Sequence, residues 1–121
     1  MARIKGDEGG YIYMARHIDT WKIGCTRQDT SYVHSLPSKG DLAGVHARLR
    51  DLRKSTGAPW ELMHVMYAPK NVMAIKHELH IMLDNFRCSG LELFALPDEM
   101  FSYIRGMTSF RENEVTHLEV A

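Results

Sequence analysis

The side chains whose types and spacing invite chemistry are Tyr13, Lys22, the basic run from Arg48 to Lys54, the Lys76 to His80 stretch, Arg87 and Glu92. "HELH", His77 to His80, raises the question of zinc. A metalloprotease helix needs His-Glu-x-x-His, with imidazoles at i and i+4, whereas these stand at i and i+3 and the sequence offers no evident third ligand. The two histidines are therefore read as exposed or hydrogen-bonded. Lys76 and His80, at i and i+4, are neighbours on a helix surface. Arg48, Arg50, Arg53 and Lys54 form either the wet side of a helix whose Leu49 and Leu52 are buried or a surface for phosphate. Tyr13 taken alone is a sheet tyrosine with a wet hydroxyl. Cys25 and Cys88 have no Cys-x-x-Cys partner, so neither a zinc knuckle nor a disulfide framework is indicated. "GDEGG" precedes the first strand instead of opening a helix, which removes a phosphate loop from consideration.

These groups must be held by a short series of elements. Residues 11–14 and 21–25, rich in aromatic and β-branched side chains, read as strands joined by "ARHIDT", with Asp19 as a turn former. Residues 28–40 have no sustained period and contain Ser, Pro and Gly, so they form a long loop. Asp41 is a suitable N-cap for a helix with Leu42, Val45, Leu49 and Leu52 on one stripe, ended by Gly57 and Pro59. Residues 60–68 read as a third strand. Asn71 caps a second helix whose stripe is Val72, Ile75, Leu79, Met82, Leu83 and Phe86, and "RCSG" ends it. A short extended piece over 91–96 leads through Pro97 and Asp98 into a last helix carrying Met100, Phe101 and Ile104. An order that begins with a hairpin and then alternates predicts an α+β fold, a small three-stranded antiparallel sheet flanked by helices.

Length and charge narrow the classes further. The 121 residues, 45% hydrophobic, suffice for one core without staples. The division expected is an extension over 1–9, a domain over 10–106 with the loop insertion 28–40, and an acidic tail over 107–121. "MARIKGDEGG" has no apolar region of a secretory signal and the apolar runs are too short for a membrane span, so a cytoplasmic protein without a membrane partner is expected. Although the formal charge is zero, residues 10–89 carry 11 Lys and Arg against 7 Asp and Glu. A modestly basic body permits nucleic acid without demanding it.

"GYIYM" (10–14), "WKIGCTR" (21–27), "RLRDLRKSTGAP" (48–59), "LHIML" (79–83), Arg87 and "LELF" (91–94) follow one another in the order and spacing of the GIY-YIG nuclease superfamily. Over residues 10–96 the chain resembles the phage-type DNA-binding branch of that superfamily. The resemblance implies the three-stranded sheet and phosphodiester hydrolysis with one divalent metal, magnesium or manganese. It gives Tyr13 the role of general base and Arg48 that of steadying the phosphate, and it puts Lys22 at the second tyrosine position, where a lysine binds phosphate as a point charge. Lys22, Arg48, Arg50, Lys76, His80 and Arg87 would face DNA. The metal-holding glutamate of the family falls at Lys76, and a cation cannot ligate magnesium. Glu78 is turned about 200° away along a helix, and Glu92 is the other alternative ligand. The expectation is a protein that binds duplex or branched DNA with impaired or lost cutting and no cofactor. Two other classes stay open: an active magnesium-dependent endonuclease using a relocated Glu78 or Glu92, and a protein-interaction domain that retains only the fold.

Overall fold

The computed structural model describes residues 8–27, 42–88, 90 and 92–120. The expected loop over 28–40 and the Asp41 cap lie outside these residues, as does most of the 1–9 extension. Strands β1 (Gly10–His17) and β2 (Thr20–Arg27) form the expected hairpin, but they are longer than the apolar pattern predicted. The connection is only Ile18 and Asp19. Ile18 has φ 57°, a left-handed conformation that β-branched residues rarely adopt, so nothing in "ARHIDT" announces so tight a turn.

Helix α1 (Ala43–Thr56) buries Val45 and Leu49, with Leu42 buried just ahead of it, and ends where Gly57 takes φ 70°. β3 (Glu61–Ala68) pairs antiparallel with β1. Helix α2 (Val72–Met82) buries Val72, Ile75 and Leu79 as the spacing predicts. Its N-terminus differs from the expectation. Asn71 stands at the cap position, but its amide nitrogen donates to Asn113 Oδ1 at 2.9 Å and caps no helix amide. The helix also stops before Phe86, passing into a 3-10 turn, Asp84–Phe86. Then come β4 (Leu93–Phe94), α3 (Asp98–Arg105), β5 (Ser109–Phe110), β6 (Asn113–Glu114) and β7 (Thr116–Leu118).

The fold is α+β, and the expected three-stranded sheet is corrected to five antiparallel strands in the order β4-β2-β1-β3-β7. The three central strands are those expected. The two edge strands pair over only two and three residues, too few for alternation to register in the sequence. The acidic segment after α3 thus supplies an edge of the sheet, and its Phe110 and Val115 belong to the core.

Alternation along β1 divides the interior into two layers. Ile12 and Met14 point towards α2 and α3, joining Trp21, Ile23, Met66, Leu79, Phe94 and Ile104. Tyr11, Tyr13 and Ala15 point the other way, towards Leu42, Val45 and Leu49. Two histidines tie the far edge of the sheet. His117 on β7 donates Nε2–H to the Met107 carbonyl, which leaves its Nδ1 to accept from Nε2 of His64 on β3 at 2.7 Å. Burial, then the neighbouring His117 and Arg105, push His64 down to about 4.

A histidine held neutral in the fold but free to protonate when unfolded takes up more protons in the unfolded state as the pH falls. Its contribution to stability is complete above the ordinary value near 6.5 and is lost between there and about 4. Thermal melts are expected to be flat above pH 7 and to fall steadily from pH 6.5 to 4. His64→Gln should lose less over that interval, and equal losses would remove His64 as the cause.

Candidate functional site

Tyr13 sits directly opposite Gly24, and Ala15 opposite Lys22, so Tyr13, Lys22 and Gly24 share the face of the sheet that α1 covers. The Tyr13 ring lies across Gly24, where an added Cβ would stand 2.5 Å from the phenolic oxygen. Glycine is what lets the ring lie flat on β2. At the other end of β2, β4 meets it at Trp21 and Lys22, after which the Ile23 amide donates to the Glu92 carbonyl at 3.1 Å.

That bond fixes Glu92 beside the sheet edge, where its carboxylate is held between two ammonium groups. Lys22 Nζ donates to Oε1 at 2.6 Å and Lys76 Nζ, from α2, to Oε2 at 2.9 Å. The three side chains are only 15–23% exposed. Burial by itself would raise the Glu92 pKa, but the hydrogen bonds and charges of Lys22 and Lys76 outweigh it and hold the carboxyl below its ordinary range. The triad therefore carries one negative and two positive charges.

The other predicted residues separate into those the fold gathers and those it does not. Tyr13 is buried, and its pKa is pushed up to about 12 by that burial and by the Glu92 charge, with Arg48 on α1 pulling it down. The same charges reach Cys25, whose thiol burial pushes up and whose sulfur lies 3.4 Å from Met73 Sδ; it is no reactive thiolate. His80 is buried and donates Nε2–H to the Ile23 carbonyl at 3.0 Å. Burial lowers its pKa, so it anchors α2 to β2 as a neutral group and offers no cation to a ligand. Arg87 stacks over the Phe94 ring at 5.0 Å and pairs with the exposed Asp84 at 3.0 Å. Arg50 is exposed on α1, and Glu78 pairs with Arg111 at 2.9 Å, apart from the triad.

The residues present do not fit a divalent metal. Both Glu92 oxygens are taken by ammonium groups, and among the described residues no three His, Cys, Asp or Glu side chains cluster to hold an ion. The role of Glu92 as the hub is what sequence reasoning missed. Its one signal is an acidic residue inside the apolar "LELF", where a carboxylate needs a partner to be half-buried. Among the described residues no helix is long and apolar enough to cross a membrane. No family model matches the chain, and no curated protein and no solved structure matches it.

Replacing Glu92 leaves two half-buried ammonium groups facing one another. Glu92→Gln is expected to lower the unfolding free energy by about 1–2 kcal/mol in urea melts near neutral pH, a figure discounted for partial exposure. Because the wild-type carboxyl is depressed, its contribution is present above the unfolded value and lost as the pH falls through the folded one. The two proteins should converge in acid. A constant difference down to pH 2 would mean that the charge of Glu92 does not matter.

Proposed function

We propose that this chain is a DNA-binding module of the GIY-YIG type that grips the phosphodiester backbone of duplex or branched DNA and does not cut it. The observation that carries the reading is the Lys76 ammonium seated on Glu92 Oε2 at 2.9 Å. In the family resembled, that helix position supplies the oxygen that holds the metal; here it supplies a built-in positive charge. Lys22 and Lys76 against one carboxylate leave a surplus positive charge at the sheet edge, and the Arg48 guanidinium lies within electrostatic reach of Tyr13. Ammonium and guanidinium groups suit phosphate oxygens.

The pKa of Tyr13 supports binding over catalysis. A general base works best with a pKa near the working pH, and a tyrosine pushed up to about 12 keeps its proton at neutrality. A relocated metal ligand has little support either, since Glu78 is engaged with Arg111 and Glu92 with the lysines. The half-buried Cys25 and exposed Cys88 are free thiols, in keeping with a cytoplasmic place of work.

Fluorescence anisotropy with labelled duplex and four-way-branched DNA should give affinities that weaken with salt. Neutralising ~3 phosphates sets a log-log slope near −3. Lys76→Glu should weaken binding on the order of tenfold, the scale of one lost charge-assisted contact. Plasmid incubated with the protein in magnesium or manganese should stay supercoiled. Salt-independent binding would point to a protein partner instead. Wild-type cleavage that survives Lys76→Ala and vanishes in Glu78→Ala would make Glu78 the metal ligand and the chain a working nuclease.

A further inference from the structure

The lysine pair opens onto a cavity of about 640 Å³ between the end of α1, the β2–β4 edge and α2. A cavity of about 300–1,000 Å³ encloses a compact small molecule. Its two sides differ in chemistry. On the α1 side the polar groups are spent on one another: Trp60 Nε1 donates to Thr56 Oγ1 at 2.9 Å, and that hydroxyl donates to the Leu52 carbonyl at 2.7 Å. What this side offers a ligand is therefore carbon, chiefly Leu52, continued by Leu93 from β4. Ile81, on the α2 side, is 67% exposed, a large apolar side chain the fold does not bury. The polar side carries Lys22 and Lys76 against the single carboxylate Glu92, with Arg87 engaged by Asp84 and His80 neutral.

A ligand that satisfies both sides has a flat apolar body beside an anionic group. Paired DNA presents phosphates and sugars outward and stacks its base faces inside, so it would meet the lysines and leave the apolar wall idle. An unpaired nucleotide presents both its phosphate and its base face. We infer that the cavity takes one unpaired nucleotide, the phosphate on Lys22 and Lys76 and the base against Leu52, Ile81 and Leu93. The inference rests on the nucleic-acid reading above and deepens it: the module recognises single-stranded stretches, such as those at gaps and branch points, in preference to continuous duplex.

Four probes test this by anisotropy or competition at one salt concentration: a twelve-nucleotide dT strand, a twelve-base-pair duplex, an abasic strand of equal length, and dTMP. The dT strand should bind tightest, with the duplex and the abasic strand each weaker on the order of tenfold. Ile81→Ser, at an exposed position, should weaken the dT strand on the order of threefold to tenfold and leave the duplex unchanged. Lys22→Met should weaken both. Equal affinities for the dT and abasic strands, or an Ile81→Ser effect common to dT and duplex, would overturn the base pocket while the DNA-binding reading survived. Competition by dTMP as effective as that by the dT strand would assign the cavity to free nucleotides and overturn the single-strand preference. No binding of any strand would remove the nucleic-acid reading itself, and with it this inference.

Discussion

The pairing of Tyr13 with Gly24 sets the register of the central hairpin, and both layers of the molecule depend on that register. Side chains alternate along β1, so Ile12 and Met14 are committed to the α2 layer and Tyr11 and Tyr13 to the α1 layer. A slip of one residue would exchange the two sets, forcing the tyrosines into the larger apolar cluster and turning Lys22 away from the face it shares with Tyr13. Gly24 protects the register locally, because any side chain there would displace the Tyr13 ring. Pairing on both flanks, to β2 and to β3, then holds β1 along its length.

The same hairpin sets the electrostatics of the edge. Once Lys22 points towards α1, the short β4 and the Ile23–Glu92 backbone bond bring a carboxylate beside it, and Lys76 completes the triad from α2. Charges that are only 15–23% exposed are costly unless paired, so the triad is a structural necessity as well as a local reserve of positive charge. His80 contributes from one turn further along α2, by bonding the Ile23 carbonyl as a neutral group. The Lys76 ammonium on Glu92 limits what the cleft can do. It can attract a phosphate, but it cannot polarise water or draw a carboxylate away from its partners.

Distribution of polarity around the cavity gives this site a direction. Hydrogen bonds among Trp60, Thr56 and Leu52 remove the polar atoms of one wall from use, while the opposite side keeps its lysines. The far edge of the sheet is organised by a different pair, His64 and His117, whose bond fastens β7 to β3 and makes that edge sensitive to acid. The two edges of one sheet are thus held by different chemistry, one by a carboxylate between two ammonium groups and the other by a histidine pair.

Local signals were legible where a periodic stripe or a cap glycine carried them. The spacing of Val45 and Leu49, that of Val72, Ile75 and Leu79, the left-handed stop at Gly57 and the three central strands all follow from side-chain period and turn chemistry, which act within a few residues. Tertiary structure alone decided the two edge strands, since pairings of two and three residues leave no periodic trace. It also decided the two-residue turn at Ile18 and Asp19, an unfavourable conformation held by the pairing around it, and the diversion of Asn71 from a helix cap to Asn113. The site divides in the same way. Alternation puts Lys22 on the opposite face from Trp21 and Ile23, and the two-residue turn then sets that face level with Tyr13. That Glu92 joins Lys22 and Lys76 depends on contacts 70 and 16 residues apart in the chain, and no local pattern encodes the meeting of charges brought together only when the sheet edge and α2 close on each other.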